Sequence, residues 1–302
     1  MPETYKHIPV LLKQSVDQLI TSPDGTYVDV TFGGGGHSKE ILNRLSEKGK
    51  LFAFDTDKQA LKNEINNDSR FQLIHSNFRY LKKYLRYFGI QKVDGILADL
   101  GVSSHHLDEL NRGFSFQSDY PLDMRMNEEQ EFSAEDILMN YSEDQLTRMW
   151  TEYGELTNSK KIAAQWVRER RTVRAKKCNE FANWVEPFIY GPRNKFLAKL
   201  FQGLRIEVNE EIKCLQELLS QSDEVLAVGS RLVVLSYHSL EDRLVKNFIK
   251  GELLNETEYS SRGRVKKFKV LTKDVILADE EELNKNSRSR SVRMRSAEKI
   301  MN

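Results

Sequence analysis

Four short apolar runs, separated by helix-like segments, most restrict what this chain can fold into. They are "TYVDVTF" (from Thr26), "GKLFAFDTD" (Gly49 to Asp57), "RFQLIHSNF" (Arg70 to Phe78) and "VDGILADLGVSS" (Val93 to Ser104). Each is short and holds β-branched or aromatic residues, as a strand does. The segments "HSKEILNRLS", "KQALKNEIN" and "LKKYLRYFGI" between them carry apolar residues at helical spacing. So does "HIPVLLKQSVDQLI" (His7 to Ile20), ahead of the first run. Strands alternating with helices make βαβ units, and these build a parallel sheet with helices on both faces.

The rhythm breaks near Leu107. From there to about Leu219 no run reads as a strand. "SAEDILMNYSEDQLTRMWTEYG", "NSKKIAAQWVRERR", "CNEFANWVEPFI" and "NEEIKCLQELLSQSDEVL" predict helices, several behind a Ser or Asn that can cap them. Strand character returns at "SRLVVLSYHS" (Ser230 to Ser239), followed by the helix-like "LEDRLVKNFIKG". "KKFKVLT" (Lys266 to Thr272) reads as a last strand. The expected organisation is a doubly wound α/β domain, residues 1–106 and 220–302, interrupted by an all-helical insertion at 107–219. Two sequential domains would leave the C-terminal strands without a sheet. The acidic "DEEELNKN" and the Arg/Ser-rich tail after it read as loop-like.

A chain of 302 residues with 39% hydrophobic content can bury a full core. Its net charge of +1 excludes a simple polycation, but charge is concentrated locally. "VRERRTVRAKK" (Val167 to Lys177), "SRGRVKKFK" (Ser261 to Lys269) and "NSRSRSVRMRSAEK" (Asn286 to Lys299) are basic, as solvated faces or as sites for a polyanion. Cys178 and Cys214 are the two cysteines and belong to no metal-spaced cluster. A reduced, cytoplasmic protein with no metal is expected. No stretch reads as a signal peptide or spans a membrane.

The first run stops at four consecutive glycines, Gly33 to Gly36, then His37. Ligands of a doubly wound sheet bind beyond the carboxyl ends of its strands, so this turn is the default site. A P-loop needs a Gly-Lys-Ser/Thr that is absent here, and a dinucleotide fingerprint needs a third glycine where Ser38 stands. S-adenosylmethionine (SAM), which has no phosphate, asks only for bare backbone. Asp55, at the end of the second run and about 20 residues on, can accept both ribose hydroxyls of SAM or of NAD. Phe78, ending the third run, is placed for an adenine ring or for the core. Asp99, ending the fourth, can meet a ligand's ammonium or an acceptor's amino group.

These residues and others resemble one family. "HIPVLL", "VDVTFGGGGHS", "FDTD", "ADLGVSS", "RGFSF", "LDMRM", "FQGLRIEVNEE", "LVVLSYHSLEDR" and "SRSRSVRMR" are similar, in order, to blocks of the bacterial small-subunit methyltransferase H family, the 16S rRNA cytosine-N4 methyltransferases. The resemblance runs from His7 to about Glu298. It implies a Rossmann-like SAM domain with a helical insertion, SAM as methyl donor, and a decoding-centre (P-site) cytidine of 16S rRNA as acceptor. The cofactor contacts it carries over fall on Gly35, Gly36 and His37, and on Asp55, Phe78 and Asp99; Gly33 and Gly34, in the same turn, are cofactor candidates with them. A further contact falls on His106, where the family usually has glutamine in a Pro-Gln pair and this chain has His105-His106. Asp99 and His238, in "SYHSLEDR", are the catalytic candidates; His238 also suits a structural role. Arg125, Arg168, Arg171, Arg288, Arg290 and Arg293 are candidates for RNA contacts, although "LDMRM" and "RGFSF" suit the insertion's core equally well. The enzyme is expected as a monomer or homodimer. A ribosome-assembly factor without methyl transfer, or an NAD-dependent oxidoreductase, are the alternatives.

Overall fold

The computed structural model describes residues 9–101, 110–173, 175–251, 266–272 and 274–301. Contacts divide the chain into two compact units. One joins Met1–Gly101 to Ile212–Asn302; the other is Val102–Glu211.

The first unit is built on a seven-stranded sheet. Its strands are β1 (Thr26–Asp29), β2 (Lys50–Asp55), β3 (Phe71–His75), β4 (Val93–Asp99), β5 (Leu226–Ser236), β6 (Phe268–Val270) and β7 (Arg293–Lys299). Their order is β3-β2-β1-β4-β5-β7-β6. The pairs from β3 to β5 are parallel, whereas β7 runs antiparallel to both β5 and β6. Its helices are α1 (Leu12–Leu19), α2 (Gly36–Arg44), α3 (Leu81–Tyr87), α4 (Glu211–Val225), α5 (Ser239–Ile249) and α6 (Glu280–Lys285). Successive strand residues face opposite sides of a sheet, and the core splits accordingly. Val28, Phe54, Ile96 and Val234 join Leu85 of α3, Leu215 and Leu219 of α4 and Val245 of α5 in one cluster. Tyr27, Leu51, Leu97, Val233 and Met294 join Val16 and Leu19 of α1 and Ile41 of α2 in another. Helices therefore cover both faces, and the fold is a Rossmann-like α/β sandwich.

Three elements differ from the sequence expectation. "KQALKNEIN" makes only a 3-10 turn, Ala60–Asn63. Asparagine side chains compete for backbone groups, and here the Asn63 amide donates to Gly33 O at 3.1 Å while Asn67 takes a φ of 68°. The acidic run forms α6 instead of a loop, because Asp279 Oδ1 caps it by accepting from Glu282 N at 2.8 Å. The Arg/Ser-rich tail is not a loop either: it supplies β7, which lies between β5 and β6. Along β7, Met294 and Ser296 are buried while Arg293 is exposed. Ala297 and Lys299, on the opposite face, are buried too, so no clean period of two shows, and the arginines mask the apolar positions in the sequence.

The second unit has helices at Ala134–Asn140, Glu143–Glu152, Ser159–Glu169, Cys178–Trp184 and Arg193–Val208. The first two begin with reciprocal capping boxes, Ser133 with Asp136 and Ser142 with Gln145. Trp150, Trp166 and Phe181 are buried at its centre, with Trp184 packed against them. Leu122 and Met124 of "LDMRM" are buried in this core, and Phe114 and Phe116 of "RGFSF" pack on it. The unit ends at Glu211 rather than near residue 219. The apolar face of α4, Cys214, Leu215, Leu218 and Leu219, is buried on the sheet side of that boundary.

Candidate functional site

The strand order reverses at β1: β2 and β3 lie to one side, β4 and β5 to the other. A crevice opens at the carboxyl ends of strands that part in this way. The glycine turn follows β1, Asp55 ends β2 and Asp99 ends β4. The carboxyl ends of three separate strands thus deliver these residues to one edge.

The glycines have unequal tasks. Gly35 is the N-cap of α2 at φ 74°, where a Cβ would also stand 2.9 Å from the Phe32 ring. A Cβ on Gly36 would lie 2.1 Å from Pro9 Cγ. These two are demanded by backbone and packing. Gly34 is exposed, and a Cβ on Gly33 would meet nothing nearer than Thr31 O at 4.0 Å. The open side of the turn is therefore Gly33–Gly34. Gly33 N–H donates to Asp55 Oδ2 at 2.8 Å, and Asp57 N–H donates to Asp55 Oδ1 at 2.8 Å. Backbone donors thus aim the Asp55 carboxylate along the turn.

A polar cluster lies behind the turn. His37 is buried, with Nε2 3.1 Å from Val10 O and Nδ1 3.7 Å from Asp99 Oδ2. Ser38 hydroxyl donates to Asp29 Oδ2 at 2.7 Å. Asp29 is wholly buried, and this desolvation pushes its carboxyl above the usual range. Thr31 Oγ1 accepts the Asp99 N–H at 2.7 Å and ties the end of β4 to that of β1. Tyr237 hydroxyl donates to Asp99 Oδ1 at 2.7 Å. Burial pushes the Asp99 carboxyl up to about 6, opposed by His37 and the Tyr237 hydrogen bond. Asp29, Thr31, Ser38 and Tyr237 were not singled out as site residues from the sequence. Polar side chains flanking apolar strand ends were the one signal they carried.

Phe78 does not end β3, which stops at His75. It opens a 3-10 turn, Phe78–Tyr80, capped by Asn77 Oδ1 accepting from Arg79 N at 2.9 Å, and its ring packs on the sheet core. His238 is the N-cap of α5, with Nε2 3.3 Å from Glu241 Oε1. Glu241 Oε2 accepts the Tyr237 N–H at 2.9 Å. His106 lies outside the described residues, as does the Arg288 side chain.

The arginine candidates separate by geometry. Arg168, Arg171 and Arg290 are exposed. Arg293 is half exposed, with Nη1 3.3 Å from Asp242 Oδ2. It pairs with Ser236 across the sheet, so it sits at the edge that carries His238. Arg125 has a different occupation: it grips Asp123 at 2.7 and 2.9 Å and donates to Glu128 O and Gln130 O at 3.1 and 2.8 Å. Four of its five N–H donors are engaged within its own loop, so Arg125 fixes that loop, and any part it takes in RNA contact is left to its remaining donor.

Residues 4–300 match the model of the MraW methylase family. The chain belongs to the MraW methylase family. A relative from Bacteroides fragilis, named ribosomal RNA small subunit methyltransferase H, is 50% identical over 300 residues and covers 98% of each chain. One of the same name from Christiangramia forsetii is 49% identical over 296 residues, covering 97% of this chain and 98% of its own. Among solved structures, an rRNA methylase from Streptococcus thermophilus is 12% identical with a TM-score of 0.43, covering 96% of this chain and 94% of its own, a weak likeness. A MraW methylase is a SAM-dependent methyltransferase. Among the described residues of this one, no helix is long and apolar enough to cross a membrane.

Proposed function

We propose that this MraW methylase transfers the methyl group of SAM to the exocyclic N4 of a cytidine in small-subunit ribosomal RNA, at the decoding centre. The carrying observation is the gathering of Gly33–Gly34, Asp55 and Asp99 on one sheet edge at the strand-order reversal, in a chain half identical to proteins named for that rRNA. The N4 atom and the decoding-centre position rest on the sequence blocks. An enzyme acting on ribosomal RNA would meet its substrate in the cytoplasm, which is its proposed location.

These residues suit SAM. The bare backbone of Gly33–Gly34 admits a close-lying group. A carboxylate has about four acceptor directions, so Asp55, aimed by two backbone donors, serves a ribose diol. Asp99 meets the ammonium with its negative charge. When bound, SAM supplies a methyl group on a sulfonium, open to in-line displacement. The N4 lone pair is delocalised into the base, so alignment of the acceptor is the enzyme's main contribution. After transfer N4 sheds a proton. His238 is the candidate acceptor for it, with the Glu241 carboxylate beside it to meet the resulting charge.

The cytidine must swing out of the folded RNA to reach this edge. Arg168, Arg171, Arg290 and Arg293 are the proposed phosphate contacts. Mass spectrometry of rRNA from a strain lacking this gene tests the activity: N4-methylcytidine is expected to disappear, and its persistence overturns the proposal.

A further inference from the structure

We infer that Tyr237 is a positioning residue of the cofactor site, its hydroxyl holding one oxygen of Asp99 so that the other is presented to the ammonium of SAM. The inference rests on the reading of Asp99 as the ammonium contact. Asp99 is held from three directions. Thr31 Oγ1 takes its backbone N–H at 2.7 Å, Tyr237 hydroxyl binds Oδ1 at 2.7 Å, and Oδ2 faces the His37 ring at 3.7 Å, outside hydrogen-bond range. Tyr237 is itself fixed. Glu241 Oε2 accepts its N–H at 2.9 Å, and its ring lies against the bare backbone of Gly101, where a Cβ would sit 3.3 Å from Tyr237 Cδ2. Gly101 has φ 97° and follows β4 by two residues, so the tyrosine braces the strand end that carries Asp99.

Among the described residues, these charged and titratable groups act on the pair. Asp99 faces His37 of α2, Tyr237 beyond β5, Asp29 of β1 and Glu241 of α5. Tyr237 faces Asp99, Glu241 and Glu282 of α6. Burial first, then the Asp99 carboxylate, raise the Tyr237 phenol, so it remains a donor across the working range. A hydroxyl that donates to a carboxylate favours its ionised form. Asp99 is ionised above about pH 6 and neutral below it. The attraction for an ammonium is therefore lost as pH falls, and earlier without the hydroxyl.

The test is calorimetric titration of the full-length protein with SAM between pH 5 and 7, where the α-ammonium stays charged. The wild type is expected to lose affinity with a midpoint near pH 6. Tyr237→Phe, which keeps the ring, moves that midpoint up by about one pH unit and raises KM for SAM by a larger factor than it lowers kcat. Tyr237→Leu removes ring and hydroxyl together; restoring the ring alone with Phe recovers thermal stability and leaves the midpoint displaced. A Tyr237→Phe protein with the wild-type midpoint, beside an Asp99→Asn protein that binds weakly and independently of pH, overturns the role of Tyr237 alone. An Asp99→Asn protein with wild-type affinity overturns the reading of Asp99 and this inference with it.

Discussion

Gly34 and Gly36 stand two residues apart and answer to different demands. Gly36 lies where a methyl group would drive into Pro9, while Gly34 is exposed. Gly36→Ala is expected to cost about 1–3 kcal/mol of stability, the usual price of overpacking. Gly34→Ala is expected to stay within about 0.5 kcal/mol and to weaken SAM binding instead. Thermal denaturation beside SAM titration separates the two; equal losses of stability would remove the distinction. In sequence the four glycines are indistinguishable. Their neighbours Asp55 and Asp99 were legible because each closes an apolar run. Ser38 was legible only as a missing glycine; its service to the buried Asp29 depends on a partner nine positions away in chain and adjacent only in the fold.

At the scale of elements, β7 is the instructive case. Its arginines resemble a basic tail, yet they belong to an inner strand of the sheet. Arg295 binds Asp242 of α5 at 2.6 and 3.1 Å. Burial would raise the Asp242 carboxyl, but Arg295 and then Arg293 outweigh it and hold it below the ordinary range. A carboxylate depressed in the folded state stabilises the fold above its unfolded pKa, and that contribution fades as pH falls through the folded value. Arg295→Ala is expected to cost about 1–3 kcal/mol at neutral pH, with the gap to wild type closing in acid. Chemical denaturation at two pH values reads this out; a pH-independent gap would assign the loss to packing. Strands β1 to β5 were visible because parallel strands buried on both faces read as continuous apolar runs. The short β7 carries Arg293, Arg295 and Lys299 on the face that packs toward α5, and these charges hide its period.

Across the whole molecule, the exposed arginines should act through phosphate. Each phosphate contact removed from a duplex-like RNA lowers the salt slope of binding by close to one unit. An Arg168→Ala, Arg171→Ala double variant is expected to bind small-subunit rRNA less tightly and with a shallower salt dependence, its affinity for SAM unchanged. Filter binding across a salt series checks this; an unchanged slope would return both residues to plain solvation. The alternation of apolar runs and amphipathic segments was by itself enough to determine the α/β class and the helical interruption, because periodicity is written locally. The blocks carried the family. Only the tertiary structure decided where α4 belongs, that the tail is a strand, and that Arg125 is engaged by its own loop. It alone joined Asp29, Thr31, His37, Asp99 and Tyr237. Those outcomes depend on partners far away in the chain, and the alternation of a sequence says nothing of which distant residue will stand opposite.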